Sequence, residues 1–184
     1  MLVLLGALYL KLFGWKVEGQ VANHKKLIFA VAPHTSNLDF PLALAIMFSM
    51  QMRISFMAKK ALFRWPFGGI MRWLDGVSID RSKSHGVVEQ TVKSFEERDK
   101  LLLAIAPEGT RKVVHKWKTG FLQIANKGKI PVQMVAFDYK RRRVVLGPSY
   151  QVGDDIDAEL NKVLDYFSSV TAKYPHFCDT SGGK

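Results

Sequence analysis

The chain of 184 residues is long enough for one packed domain, and its 48% of hydrophobic residues excludes an intrinsically disordered protein. Its 27 lysine and arginine residues against 16 acidic ones give a net charge of +11, which favours phospholipid headgroups or phosphorylated substrates over a merely solvated basic surface. A single cysteine excludes a disulfide framework, and the sequence has no signature of a nucleic-acid-binding or metal-binding protein. Nucleic acid and metal ions are therefore not expected as partners.

Residues 1–15 form an apolar N-terminal segment, in which Lys11 is the first charged residue. A membrane-spanning helix needs about 20 apolar residues, so this segment is too short to span a bilayer. A secretory signal is not expected either, because no basic region precedes the apolar run and no small-residue cleavage site follows it. The segment is typical of a helix lying in a membrane interface, with packing on the protein core as a compatible alternative.

Strand and helix patterns alternate along the rest of the chain. In chain order, the predicted elements are a strand at Leu27–Ala32, a helix at Asp39–Met52, a strand at Ile54–Ala58, a short helix entered by a turn at Trp65–Met71, a strand at Gly76–Arg81, a helix from Ser84 to about Arg98, a strand at Leu101–Ala106, a helix at Phe121–Lys127 ended by Gly128, strands at Val132–Tyr139 and Val144–Leu146, and an amphipathic helix at Asp155–Lys173. The helix at Asp39–Met52 is predicted to place one apolar face inward, made of Phe40, Ala43, Leu44, Met47 and Phe48.

This alternation predicts an α/β fold: a single domain over residues 1–184 with a mainly parallel sheet, mixed at one edge and flanked by helices. No linker or internal repeat divides the chain. Ligands of such sheets bind beyond the carboxyl ends of the strands. Because His34, Arg81 and Glu108 all lie at or just past predicted strand ends, we expect one site to contain them.

The segment His34–Asp39 has the composition of a general base and its orienting partner. A turn would let the Asp39 carboxylate reach the His34 imidazole, fix its tautomer and stabilise the imidazolium. The proton then comes from a substrate hydroxyl. Ser36 is the alternative nucleophile, as in a serine hydrolase or thioesterase, but no GxSxG elbow surrounds it.

The segment Pro107–Arg111 supplies complementary groups. Arg111 is suited to bidentate phosphate binding, and Arg81 adds another cation. Gly109 permits a positive φ or a close backbone approach. Glu108 is suited to accept a substrate hydroxyl or to brace an arginine, although a plain surface turn with a weak ion pair is the alternative.

Taken in order, these segments resemble the motif blocks of the glycerolipid acyltransferase family, which includes bacterial lysophosphatidic acid acyltransferases. The resemblance spans residues 27–139. It rests on the HxxxxD spacing of His34 and Asp39, the Gly76–Ser82 block around Arg81, the Pro107–Arg111 block, and a proline-containing strand at Ile130–Val132.

The resemblance implies acyl transfer from acyl-CoA or acyl-carrier protein, as co-substrate and without a cofactor, to the hydroxyl of a lysophospholipid such as 1-acylglycerol-3-phosphate. It implies these roles: His34 as general base, Asp39 as its partner, Arg81, Glu108 and Arg111 as ligands of the acceptor, and Gly109 and Thr110 as residues that shape the loop. It further implies a peripheral protein at the cytoplasmic face of a bacterial membrane, in contact with anionic lipids. A lipid- or anion-binding module without catalysis is the alternative.

Overall fold

The computed structural model describes residues 1–79, 86–110 and 116–177. Within these ranges the α-helices are α1 (Leu2–Leu12), α2 (Asp39–Ser49), α3 (Gly68–Trp73), α4 (Val87–Glu96), α5 (Gly120–Gly128) and α6 (Ile156–Ser168), with short 3-10 helices at Lys60–Phe63 and Pro175–Phe177. The strands are β1 (Lys16–Gly19), β2 (Lys26–Ala32), β3 (Ser55–Lys59), β4 (Gly76–Ile79), β5 (Leu101–Ile105), β6 (Val132–Asp138) and β7 (Arg143–Tyr150). Every helix among these residues falls short of the length and apolar character that a membrane span requires.

The strands join one seven-stranded sheet in the order β1-β7-β6-β2-β5-β3-β4. Neighbouring strands run parallel, except β6 and β7, which are antiparallel. The predicted α/β fold with a mainly parallel sheet, mixed towards one edge, is therefore confirmed. β2 and β5 are direct neighbours, with Ala30 opposite Ile105, so the chain leaves both strands at the same edge of the sheet.

β2 lies in the middle of the sheet and buries side chains on both faces. Ile28 and Ala30 belong to a core shared with α4, α5 and α6, whereas Leu27 and Phe29 belong to a second core shared with α1 and α2. Because both faces are covered, the strand is an unbroken apolar run rather than an alternating one. Burial of each large apolar side chain contributes about 1.5–3 kcal/mol, so the two cores hold β2 and the segment that follows it in place.

α1 packs lengthwise against α2 at Gly6. A Cβ atom at this position would lie 2.5 Å from the Ala45 carbonyl oxygen and 2.8 Å from the Ser49 nitrogen, so the two backbones approach closely. Leu10 is also buried, whereas the opposite face exposes a row of leucines: Leu4, Leu5, Leu8 and Leu12. The N-terminal helix thus packs on the core and still presents an apolar outer face.

Two helix ends differ from the prediction because of backbone geometry. α2 ends at Ser49 rather than Met52, since Gln51 has a φ of 55°, which an α-helix cannot continue. α5 includes Gly128, and Lys129 is the residue in the left-handed region, with a φ of 51°. Gly128 is instead suited to its place by close packing, because a Cβ atom there would lie 2.6 Å from Ile130 Cδ1.

Candidate active site

The two polar segments meet at the sheet edge where β2 and β5 end. The Glu108 carboxylate reaches across, and its Oε1 accepts the backbone N–H of His34 at 2.7 Å. This contact joins residues separated by 74 positions in the chain. The contact forms because the two parallel strands are neighbours and end at the same edge of the sheet, where ligand sites of such sheets lie.

His34 and Asp39 form a hydrogen-bonded pair. His34 Nδ1 lies 3.0 Å from Asp39 Oδ2, and the Asp39 side chain is only 1% exposed, against 21% for the imidazole. Asp39 Oδ2 also accepts the Ser36 backbone N–H at 2.9 Å. With the proton on Nδ1 facing the carboxylate, Nε2 carries the lone pair of the neutral ring. Asp39 is the first residue of α2, where the helix dipole favours a carboxylate.

Tyr139, which sequence reasoning did not single out, belongs to this cluster. Its hydroxyl donates a hydrogen bond to Asp39 Oδ1 at 2.5 Å. Burial raises the pKa of the Tyr139 phenol well above its usual range, and the bond to Asp39 adds to the effect, so the hydroxyl remains the donor. Tyr139 directly follows β6, the other neighbour of β2. The strand-end rule that grouped His34 and Glu108 would also have placed Tyr139 in this cluster if the strand order had been known.

Glu108 is 2% exposed. Burial raises the pKa of its carboxyl from 4.5 to about 6, although the hydrogen bond from the His34 backbone works in the opposite direction. Its Oε2 has no hydrogen-bond partner among the described residues. In the structure, Glu108 therefore holds the backbone of the His34 loop, and its predicted contact with substrate stays a prediction.

The rest of the predicted acceptor site is only partly described. Gly109 has a φ of 70°, which confirms the positive φ foreseen for it and matches the conformational freedom of glycine. Gly109 and Thr110 are exposed on the loop after β5. Arg81, Arg111 and the predicted helix cap Ser84 lie outside the described residues, so the arginine clamp stays a prediction. β4 lies three strands from β2 in the sheet.

Ser36 has a local role in the turn that leads into α2. Its side-chain Oγ accepts the Leu38 backbone N–H at 3.1 Å, and the residue is 5% exposed. A serine engaged in this way, beside a base already oriented by Asp39, gives no specific support to a covalent serine mechanism.

An apolar cavity lies between α2 and the sheet, next to the segment that bears His34. It is open to the surface, and its volume is about 100 Å³. Its walls are entirely apolar side chains: Val21, Phe29, Val31, Phe40, Ala43, Leu44, Ile46, Met47, Met50, Met52, Ile54, Phe56, Ala104, Val135, Phe137, Val144 and Leu146. The α2 face predicted to point inward borders this cavity through Phe40, Ala43, Leu44 and Met47, but only Met47 of that face is buried. The other buried residues of the helix are Asp39, Leu42, Ala45 and Ile46.

Comparisons with known proteins show the family and the fold of the chain. The sequence model of the Acyltransferase family matches residues 15–138. The chain therefore belongs to the acyltransferase family. This confirms the family resemblance that was based on the His34–Asp39 and Pro107–Arg111 segments.

Two relatives are informative. The 1-acyl-sn-glycerol-3-phosphate acyltransferase of Haemophilus influenzae is 32% identical over 137 residues, which are 69% of this chain and 55% of that protein. This chain thus spans about half the length of the curated relative it matches. The crystal structure of the 1-acyl-sn-glycerophosphate (LPA) acyltransferase PlsC from Thermotoga maritima matches 94% of this chain and 80% of its own, with a TM-score of 0.56 and 17% identity. That likeness establishes the fold.

Proposed function

We propose that the protein transfers a fatty acyl group from an acyl thioester to the hydroxyl of a lysophospholipid such as 1-acylglycerol-3-phosphate. The observation that carries the proposal is the 3.0 Å contact between His34 Nδ1 and the buried Asp39 carboxylate. Membership of the acyltransferase family and the activity named for the Haemophilus influenzae relative support it. The donor is acyl-CoA or acyl-carrier protein, and the reaction draws on no further cofactor.

The chemistry follows from the orientation of the imidazole. His34 Nε2 removes the proton of the acceptor hydroxyl while that oxygen attacks the thioester carbonyl. Asp39 stabilises the imidazolium that forms. The tetrahedral intermediate then expels the thiolate, which takes the proton back from His34, so that an ester and a free thiol leave the site.

Substrate binding is divided between two surfaces. The apolar cavity beside α2 suits an acyl chain, because its walls carry no polar side chain that would need a partner. The loop of Glu108, Gly109, Thr110 and Arg111, together with Arg81, is proposed to hold the phosphate and glycerol of the acceptor. Bidentate arginine contacts are the geometry that phosphate favours.

The proposed setting is the cytoplasmic face of a bacterial membrane. The exposed leucines of α1 suit an interfacial helix, with Lys11 near the headgroups. Since α1 also packs on α2, this idea is best tested by substituting Leu4 and Leu8 with glutamine, not by deleting residues 1–15. We expect weaker vesicle binding with an unchanged thermal midpoint.

The decisive experiment incubates the purified protein with several lysophospholipids and both thioester donors and identifies products by mass spectrometry. His34→Ala is expected to lower kcat by about 100-fold or more, the usual contribution of a general base. His24→Ala is the matched control, because His24 is exposed and its imidazole has one hydrogen-bond contact among those described, with Ser149 Oγ at 3.3 Å. Full turnover by His34→Ala, or no acylated product from any acceptor, would refute the proposal.

A further inference from the structure

A row of bulky apolar side chains is exposed between the 3-10 helix Lys60–Phe63 and the end of α3. Its members, with their exposed fractions, are Leu62 (43%), Trp65 (93%), Phe67 (56%), Ile70 (54%) and Trp73 (57%). We call this row the aromatic patch. Clusters of this kind mark an interaction surface, since single proteins in water rarely leave large apolar side chains grouped at the surface.

The charges around the patch indicate the kind of partner. Residues 40–74 contain no aspartate or glutamate and five basic residues: Arg53, Lys59, Lys60, Arg64 and Arg72. Asp75 follows and lines the same depression as Trp73, and its carboxylate lies 3.6 Å from the Arg98 guanidinium. Arg64 and Arg72 are exposed on the patch segment itself. Tryptophan and phenylalanine side chains flanked by cations are the combination that binds at the headgroup level of anionic bilayers.

The patch lies beside the N-terminal end of α1. The Trp73 ring lies 6.3 Å from the ring of Phe48 on α2. Trp73 and Phe48 line the same surface depression as Leu2 and Val3 of α1. The patch also begins at the active edge of the sheet, because it follows β3, which runs parallel to the neighbouring β5.

We propose that the aromatic patch is a second membrane-docking element, which inserts into an anionic bilayer beside α1 and holds the active-site edge at the lipid surface. Two separate attachments fix the orientation of the protein, whereas one helix leaves it free to rotate. The proposal concerns binding and not turnover, so it stands or fails independently of the acyl-transfer activity.

The test compares the native protein with Trp65→Phe in vesicles of phosphatidylcholine and phosphatidylglycerol, with and without bromine on the acyl chains. The emission difference between the two proteins reports Trp65, and we expect brominated lipid to quench it. Trp117 is the internal reference, since it is 3% exposed in the core and is expected to escape quenching. An unquenched difference signal would overturn the proposal.

A second measurement uses Trp65→Ser combined with Trp73→Ser. Both side chains are mainly exposed, so the thermal midpoint is expected to hold. Vesicle partitioning is expected to fall by about tenfold or more, as removal of two inserted side chains implies. Unchanged partitioning would overturn the proposal. Sedimentation without lipid gives a second check. If the native protein were a dimer and the double variant a monomer, the proposal would also be overturned, because the patch would then bind a second copy of the chain.

An independent observation concerns Tyr139. Among the described contacts, Asp39 Oδ1 accepts only the Tyr139 hydroxyl, while Oδ2 accepts the His34 ring and the Ser36 backbone. The Tyr139 ring is itself held, since it packs edge-on against Trp15 with centroids 4.9 Å apart. We infer that Tyr139 is a positioning residue, which fixes the plane of the carboxylate and thereby the direction of the imidazole.

Tyr139→Phe keeps the ring and removes the hydroxyl. We expect kcat to fall about 10- to 100-fold, since a small misplacement of a catalytic group has effects of this size, with the acceptor KM and thermal midpoint nearly unchanged. Tyr150→Phe is the matched control, because the buried Tyr150 hydroxyl has no hydrogen-bond partner among the described residues. A kcat within about twofold of native, or a drop that follows a loss of stability, would overturn the inference.

Discussion

Glu108 is a carboxyl group placed where its charge is poorly solvated. It is 2% exposed, and burial raises its pKa from 4.5 to about 6. Between these pH values the folded protein keeps a proton on Glu108 that the unfolded chain has lost. Raising the pH through this window therefore lowers the free energy of unfolding. The difference between about 6 and 4.5 corresponds to about 2 kcal/mol.

Glu108→Gln keeps an acceptor for the His34 N–H and removes the titration. We expect the free energy of unfolding of the native protein to fall relative to that of the variant as the pH rises from 4.5 to 7, by about 2 kcal/mol in total. Urea denaturation of both proteins across this range measures the difference, in which the other titrating groups cancel. A constant difference would show that the carboxyl is not perturbed.

The proximity of His34, Asp39 and Glu108 could be predicted from sequence, but the bond from the His34 N–H to Glu108 and the contact with Tyr139 could not. His34 and Glu108 come shortly after apolar strands, so the general rule for parallel sheets places them together. Tyr139 also follows a strand, but its contact with Asp39 spans 100 positions. Only the strand order, with β6 beside β2, brings them together, and no local pattern encodes that order.

At the scale of elements, the close approach of α1 and α2 depends on one missing side chain. A Cβ atom at Gly6 would meet backbone atoms of Ala45 and Ser49, which cannot rotate away as a side chain could. This packing places the end of α1 near the active site, since Trp15 lies against Tyr139. An apolar outer face and a tightly packed inner face thus coexist on a helix of 11 residues.

Gly6→Ala is expected to lower the free energy of unfolding by up to about 2 kcal/mol, because overpacking costs about 1–3 kcal/mol and the gain in helix propensity is only about 1 kcal/mol. Gly69→Ala in α3 is the matched control. Nothing lies within 4 Å of a Cβ atom there, so this change is expected to be neutral or stabilising. Thermal and urea denaturation measure both. Equal behaviour of the two variants would mean that α1 is not seated on α2 as described.

Local signals set one end of α6 but not the other. α6 begins at Ile156, one residue after the predicted start, and Asp155 caps it: its side chain accepts the Ala158 N–H at 2.9 Å. It ends at Ser168, short of the predicted Lys173, and beyond this end the Thr171 carbonyl accepts the Tyr139 backbone N–H at 2.9 Å.

Strands at the mixed edge of the sheet were the hardest to predict. β1 was not predicted, and β7 extends to Tyr150 through Gly147 and Pro148, which usually interrupt strands. The side chain of Gln133, 1% exposed, ties this region together by donating to the Gly147 carbonyl at 2.6 Å and the Gln20 carbonyl at 2.8 Å. Hydrogen bonds between distant residues therefore stabilise a strand conformation that the local sequence does not favour.

The whole molecule is polarised between the two faces of its sheet. The helices on one face, α1, α2 and α3, contain a single carboxylate, the buried Asp39. On the other face, α4 and α6 contain five: Glu89, Glu96, Asp157, Glu159 and Asp165. The apolar residues of α1 and the aromatic patch therefore lie on the face whose helices are poor in acidic residues.

This polarity predicts two separable contributions to vesicle binding. The Debye length shrinks from about 10 Å at 0.1 M salt to about 3 Å at 1 M, so the attraction between basic residues and anionic lipid is screened while apolar insertion persists. Partitioning onto phosphatidylglycerol-containing vesicles is expected to fall with salt to a residual level. Trp65→Ser with Trp73→Ser is expected to lower that residual level. Vesicle binding that does not change with salt concentration would exclude the electrostatic contribution. Vesicle binding that is lost completely at 1 M salt would exclude the contribution of apolar insertion.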